Sequence, residues 1–325
     1  MKYLVDMHTH FNEKKLKKSD WWSSVLEKKL CAVAITEHAN YNPGLAYKRL
    51  LTKKPKNVLL IPGMEANTNA GHLLIYGKDE SLYQIKKLQE FNIDIEKALQ
   101  LVTRNNLIAS FSHPFGYKYD STCEIIGEKK TKELLKKYGV GVEYYNGMLG
   151  SANNFIFGTQ WVKKLYNFFD FMSKSKPGRI LKIKNKSTKI KNQLDEVSKE
   201  TFARVRKGIE FSQNANFITV GSDAHYPRVI GSAIVELKRK PKNNSDFLKM
   251  IKNKQIIWAG PNIYAKEPVD NVTKKELFEG LKYATTNKLK KKIKRKKKNP
   301  TSKTKLKKTK EKLIKIKNKL RRNKK

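Results

Sequence analysis

Cysteine is nearly absent from this chain: Cys31 and Cys123 are the only two among 325 residues. Neither belongs to a metal-type spacing, which excludes a disulfide framework and a thiolate zinc site and leaves two plain thiols of a reducing compartment. No stretch approaches about 18 consecutive apolar residues, so a membrane-spanning helix is excluded. A secretory leader has no room before Asp6, and a soluble, cytoplasmic protein without membrane contact is expected. Acidic residues are scarce, with 29 Asp and Glu against 71 Lys and Arg, a formal charge of +42. Half of that surplus lies in residues 287–325, which hold 22 Lys and Arg and one Glu. Block charge of this density makes a disordered tail or a solvated helix. Residues 1–286 remain for a folded domain, and their 38% hydrophobic chain average is low but sufficient for a core.

Histidine is also sparse, yet its placement is not random. The six are His8, His10, His38, His72, His113 and His225. Each adjoins or follows a short apolar run and lies near a carboxylate, a Gly or a Pro. Lys2 to Asp6 reads as a β-strand, and residues two apart on a strand share a face, so His8 and His10 are presented together. Two imidazoles at a strand end are a natural pair of ligands for a divalent metal. The whole set points to a polynuclear metal site.

The chain repeats one pattern: strand, polar residue at its end, helix. Strands are expected at Cys31–Thr36 before Glu37-His38, at Val58–Pro62 before Glu65, at His72–Gly77, at Leu107–Phe111 before His113, at Val140–Tyr144 before Asn146, and at Phe217–Val220 before Asp223 and His225. Helices are expected at Trp21–Leu30, within 79–105, at Lys132–Tyr138, at Leu194–Asn214, at Ser245–Lys254 and at Lys274–Tyr283. Alternation of this kind implies a parallel sheet. Site residues at most strand ends imply that the sheet closes, because a β/α barrel gathers its active site at the C-terminal ends of its strands. Residues 150–212 interrupt the rhythm and read as a mainly helical insertion. Its aromatic stretch, Phe155 to Met172, is expected to pack as core, with a lid or base-stacking surface as the alternative.

These motifs, in this order, resemble the PHP family (polymerase and histidinol phosphatase domain). The residues carrying the resemblance are Asp6-Met-His8-Thr-His10, Ile35-Thr-Glu37-His38, Gly63-Met-Glu65, His72-Leu-Leu-Ile-Tyr, Ser112-His113-Pro114, Glu143-Tyr-Tyr-Asn146-Gly and Gly221-Ser-Asp223-Ala-His225. They span about residues 1–260, leaving the insertion and tail uncovered. The resemblance implies a distorted seven-stranded, TIM-like (β/α) barrel holding two or three divalent metal ions. It places His8, His10, Glu65 and Asp223 on a first metal, and Glu65 as a bridge with His72 and His113 on a second. His38 and His225 go to a third. A ligand common in the family about five residues after His10 is replaced here by Lys15, and Glu13, or failing it Asp20, is the substitute. Glu37 is read as a residue that orients His38.

Imidazole and carboxylate ligands without thiolate suit Zn, Mn or Fe. Bridged metals lower the pKa of a bound water and clamp a phosphoryl group, so the expected activity is hydrolysis of phosphate esters, monoester or nucleotide, by a metal-activated hydroxide. Asp223 and His225 are the candidates for catalysis, His225 as proton donor to the leaving oxygen when not bound to metal. Arg228 is the candidate phosphate anchor. The expected partner is a phosphorylated small molecule or nucleotide. The basic tail brings two alternatives, a nuclease or nucleic-acid end-processing enzyme on the same site, and a non-catalytic nucleic-acid-binding module.

Overall fold

A computed structural model describes residues 2–153, 160–174 and 184–265. The lysine-rich tail, the helix expected at 274–283, and Phe155 and Phe157 lie outside the described residues. Among the described residues nine strands form one sheet: β1 (Tyr3–Thr9), β2 (Leu30–Ile35), β3 (Leu59–Thr68), β4 (Gly71–Tyr76), β5 (Ile108–Phe111), β6 (Gly141–Asn146), β7 (Ile218–Gly221), β8 (Ala233–Leu237) and β9 (Ile256–Pro261). Their order is β7-β6-β5-β4-β3-β2-β1-β8-β9. The helices are α1 (Lys18–Glu27), α2 (Pro43–Leu51), α3 (Ile95–Arg104), α4 (Thr122–Tyr138), α5 (Gly147–Asn153), α6 (Gln160–Lys174), α7 (Lys184–Ser212) and α8 (Asn244–Lys252). The last three before β7, α5 to α7, make up the insertion between β6 and β7.

The fold is mixed α/β with a nearly closed, barrel-like sheet, and it departs from the expected seven-stranded parallel scheme in two ways. First, β3, β4 and β5 pair antiparallel. The link from β3 to β4 is only Asn69 and Ala70, with Gly71 at φ +107 opening β4, and a two-residue turn can join only antiparallel strands. Second, β8 and β9 extend the sheet beyond β1. These two carry no candidate ligand, so a search for strand-then-ligand units passes over them.

Closure runs through β1, one edge of which is divided. Tyr3, Leu4 and Val5 pair with β8. Farther along, Asp223 N donates to His8 O at 2.8 Å, and His10 N donates to Ala224 O at 2.9 Å. Residues following β7 therefore lie on the C-terminal half of β1. Gly221 permits this approach, because a Cβ at that position would overlap the backbone N and Cβ of His8. Gly221→Ala is expected to destabilise the fold by about 3 kcal/mol or more, since backbone cannot yield as a flexible side chain does. Chemical denaturation checks this, and an unchanged midpoint would contradict the closure.

Alternation sorts the strand side chains onto two buried clusters. Val33 and Ile35 join residues of α1 to α4, including Trp21, Leu50, Leu99 and Leu134. Ala32, Ala34, Val5 and Met7 join Phe217 and the apolar face of α8, Phe247, Leu248 and Ile251. The segment expected to be helical at 79–105 is broken into two 3-10 turns, Glu80–Gln84 and Lys86–Gln89, before α3 begins. Asn92 at φ 64 separates them from α3, and Asp94 caps it by accepting from Lys97 N. Cys31 and Cys123 are unpaired, and burial pushes their thiols up to about 11 and about 12. Among the described residues no helix is long and apolar enough to cross a membrane.

Candidate metal centre

All six histidines converge. They arrive from the end of β1 (His8, His10), from the turn after β2 (His38), from β4 (His72), from the turn after β5 (His113) and from the turn after β7 (His225). His72 sits at the start of β4 rather than an end. Because β4 is antiparallel to its neighbours, its start lies at the same face as their C-terminal ends. Glu65 is inside β3, which runs to Thr68, and pairs with Leu74.

Four donor atoms meet beside β1. His10 Nε2 lies 3.2 Å from His8 Nε2 and 3.1 Å from Asp223 Oδ1. His8 Nε2 is 3.5 Å from Asp223 Oδ1. Glu65 Oε2 stands 3.6 Å from His8 Nε2 and 3.7 Å from His10 Nε2. A tetrahedral ion with ligands at about 2.0–2.1 Å has edges of roughly 3.3 Å, so these separations are those of ligands around one ion. Two imidazole nitrogens facing each other at 3.2 Å need something positive between them, a proton or a cation. The donor set, all imidazole and carboxylate, fits a divalent metal.

Glu65 divides its oxygens. Oε2 meets His38 Nδ1 at 2.8 Å as well as the β1 pair, while Oε1 meets His72 Nδ1 at 3.0 Å and His113 Nε2 at 3.4 Å. This is the disposition of a bridging carboxylate. A further group forms around Glu13, whose Oε2 is 2.9 Å from His225 Nε2 and 3.7 Å from His38 Nε2. Glu13 Oε2 is buried and lacks a hydrogen-bond partner of good geometry. Among the described residues three sets of His and carboxylate atoms are close enough to hold an ion: His8, His10 and Glu65; His38, Glu65 and His72; and His10, Glu13, His38 and His225. His72 is thus as near to His38 as to the His113 with which the resemblance groups it. Lys15, at φ 52, and Asp20, the first-turn acid of α1, belong to none of the three.

The supporting contacts hold residues that sequence reasoning named without giving them a task. Glu143 Oε1 accepts from His8 Nδ1 at 2.8 Å, which fixes the tautomer and leaves Nε2 for a ligand bond. Its Oε2 accepts from His113 N at 2.8 Å and from Asn146 Nδ2 at 3.0 Å. Asn146 Nδ2 also reaches Asp223 Oδ2 at 3.2 Å. One carboxylate on β6 therefore ties ligands of β1, β5 and β7 together. The available clue was an acid in an apolar run, Val140-Gly-Val-Glu143. Glu143→Gln is expected to weaken metal binding about 10- to 100-fold with the fold intact. Metal titration against a competing chelator reads this, and an unaltered affinity would remove Glu143 from the centre.

Glu37 does not orient His38. Its Oε2 accepts from Phe11 N at 2.8 Å and from Asn12 N, and its Oε1 faces His10 Nδ1 at 3.5 Å. Consecutive residues at a strand end point apart, so Glu37 and His38 serve different neighbours. Asp6 is also taken up elsewhere. It accepts from Ser222 N at 2.9 Å and from Gly231 N at 2.7 Å, which anchors the turn carrying Asp223. Burial pushes its carboxyl up to about 6 against those hydrogen bonds.

Electrostatics follow from packing imidazoles among acids. Burial pulls His10 down, but its hydrogen bonds with Asp223 and Glu37 carry it up to about 10. His8 is likewise held well above the usual imidazole range, with Asp223, Glu143 and Glu65 overcoming burial. His38 moves the other way, because burial and the neighbouring His10 and His72 outweigh Glu65. Burial opposes charge on Glu13, yet His225, His38 and His10 hold it down to about 2. Asp223 and Glu65 lie well below the carboxylate range, with the surrounding imidazoles overriding burial. Asp223 and His113 adopt left-handed backbone at φ 54 and 30, a conformation uncommon for non-glycine residues.

Arg228 lies in the 3-10 turn Pro227–Val229, three residues past His225, and is half-buried. The insertion touches the loop bearing His113: Arg204 Nη1 donates to Gly116 O at 2.9 Å, and Phe115 packs edge-on against Phe211. On α6 Phe168 and Phe171 are exposed, Tyr166 and Phe169 are half-buried and Met172 is buried, so the helix is not simply core.

The arrangement defines an α/β protein with a histidine–carboxylate centre at the rim of a barrel-like sheet. The PHP-associated family (PHP_C) matches residues 206–256, the segment containing Gly221 to His225, and this supports a PHP-domain family for the chain. No curated protein matches the chain. Among solved structures, PsfC from Pseudomonas syringae PB-5123 is similar at a TM-score of 0.49 and 13% identity, over 77% of this chain and 89% of its own. A two-domain protein from Bacteroides vulgatus ATCC 8482, described as containing a predicted PHP-like metal-dependent phosphoesterase, is similar at 0.47 and 15% over 79% of this chain. The chain spans 64% of that second protein.

Proposed function

We propose that this chain is a divalent-metal-dependent hydrolase of phosphate esters, with a monoester or a nucleotide as substrate. The observation that carries the reading is the set of four donors on His8, His10, Glu65 and Asp223 at ligand-edge distances, with Glu65 turned to a second group of imidazoles. Divalent cations such as Zn, Mn or Fe held there would supply positive charge to a phosphoryl oxygen and a more acidic water.

The chain's own residues do the rest. Glu143 keeps His8 Nε2 turned inward. Asn146 holds Asp223 in place through its second oxygen. His225 has Nδ1 on the Asp223 carbonyl at 2.9 Å, so Nε2 is its working atom. That atom either joins Glu13 and His38 as a ligand through its lone pair or, when it has taken up a second ring proton, passes that proton to the leaving oxygen. Arg228, close to this turn, is assigned to the phosphate.

The test is hydrolysis of a panel by metal-loaded protein, with and without chelator. The panel holds an aryl phosphate, 5′- and 3′-nucleotides, and short single-stranded RNA and DNA. Chelator-sensitive release of phosphate, lost in His8→Ala with His10→Ala, supports the reading, and turnover that survives the double substitution refutes it. The charge of +42 favours a second reading, in which nucleic acid is the substrate. Cleavage of the oligonucleotides in place of the monoesters would select it.

A further inference from the structure

A cleft at the far end of the barrel from the metal centre carries a separate inference. It opens where β5, β6 and β7 begin, at Ile108, Val140 and Phe217, whereas the ligands stand where those strands end. Its volume is 390 Å³, within the range of small-molecule sites. Two helices form its sides. From α3 come Leu99, Val102 and Thr103, and from α8 come Ser245, Leu248, Lys249 and Lys252. Both sets have the spacing of one helix face. Asn106 (φ 52) and Gly139 (φ 65), in the turns before β5 and β6, also line the cleft.

The lining is of two kinds. The floor is apolar, with Val102, Ile108, Val140, Phe217 and Leu248 all nearly buried. Around it stand Lys78, Lys249 and Lys252, and among the described residues no carboxylate lines the cleft. Neither Lys249 nor Lys252 has an ion-pair partner among the described residues. On α3, Glu96 is already taken by Lys137 at 2.7 Å and by the Tyr138 hydroxyl at 3.1 Å. An apolar floor with unpaired cations at the mouth matches a ligand with an apolar body and an anionic head. The same cations disfavour the chain's own basic tail as occupant.

We infer that the cleft between α3 and α8 binds a small amphipathic anion, its aromatic or acyl body on Phe217, Ile108 and Leu248 and its charged head at Lys249 and Lys252. The site is independent of the metal centre and of the reaction proposed for it.

Two fluorescent probes of matched shape test this: 1-anilinonaphthalene-8-sulfonate, which is anionic, and N-phenyl-1-naphthylamine, which is neutral. The anionic probe is expected to bind saturably to the full-length protein. Lys249→Glu with Lys252→Glu should weaken it at least about tenfold and leave the neutral probe within about twofold. Ser245→Trp, at an exposed lining position, should weaken both probes. Affinity for the anionic probe that is unchanged in the double lysine variant overturns the proposal, as does binding that never saturates in the parent protein. Circular dichroism melting confirms that each variant is folded, and no step of the test requires metal or turnover.

Discussion

Glu65→Gln is expected to abolish metal-dependent turnover and to strip the centre of metal. No other side chain here is so placed: Oε2 faces His8, His10 and His38, and Oε1 faces His72 and His113. The substitution keeps the volume and removes the charge. It also replaces one acceptor oxygen with an NH2 group, which cannot ligate and which points hydrogens at imidazoles. Residues that only orient a ligand typically affect affinity about 10- to 100-fold, so a bridging ligand should exceed that range. Elemental analysis of the purified variant should find at least one ion fewer per chain than in the parent. Retention of the full metal content would show that Glu65 does not bridge. In the metal-free protein the same change leaves the imidazoles without their central anion, and a lowered melting temperature below pH 6.5 is expected as well.

Metal uptake is expected to release protons at neutral pH. In the metal-free chain His10 is raised to about 10, so at pH 7 it holds a proton that lies in the 3.2 Å contact with His8, which is itself raised above the ordinary imidazole value. A ligating imidazole is neutral, and an ion that binds between the two must displace that proton. Calorimetric titration in buffers of different ionisation enthalpy measures the number, and a value of zero would contradict the raised histidines. The sign of the stability effect follows. A histidine whose folded pKa is raised stabilises the metal-free fold fully below the unfolded value near 6.5, and this is lost as pH climbs toward about 10. Glu13 behaves oppositely, since its carboxyl is lowered to about 2 and its contribution fades as pH falls from about 4.5 to 2. The melting-temperature gap between metal-loaded and metal-free protein should therefore widen from pH 6.5 to 9.

Much of this centre was legible before any coordinates because its donors sit at the ends of short apolar runs. His8, His38, His113, Asp223 and His225 could be found that way. His72 was found for the wrong topological reason. It was read as the head of one more parallel unit, and it reaches the site only because β4 turns back on β3. Strands β8 and β9 were illegible because they serve the sheet rather than the site. Glu37 was misassigned because proximity in sequence is not proximity in space at a strand end, where neighbours point apart. The role of Glu143 was hidden for a related reason: its partners His8, Ser112, His113 and Asn146 come from β1, from the turn after β5 and from β6, and local spacing carries no trace of such a knot.

The divided edge of β1 also sets an order of events in time. Its far half is completed by residues 223 and 224, so ligands near the start of the chain wait for one that is translated more than two hundred residues later. At synthesis rates of about 5–20 residues per second, that wait lasts roughly 10 to 40 seconds. Throughout it His8 and His10 are present while Asp223 does not yet exist, and any ion they capture is held by a fragment of the site. Full-strength metal loading is therefore a late step in the making of this protein, and a chain stalled on the ribosome before Asp223 emerges would carry its histidines without a centre to put them in.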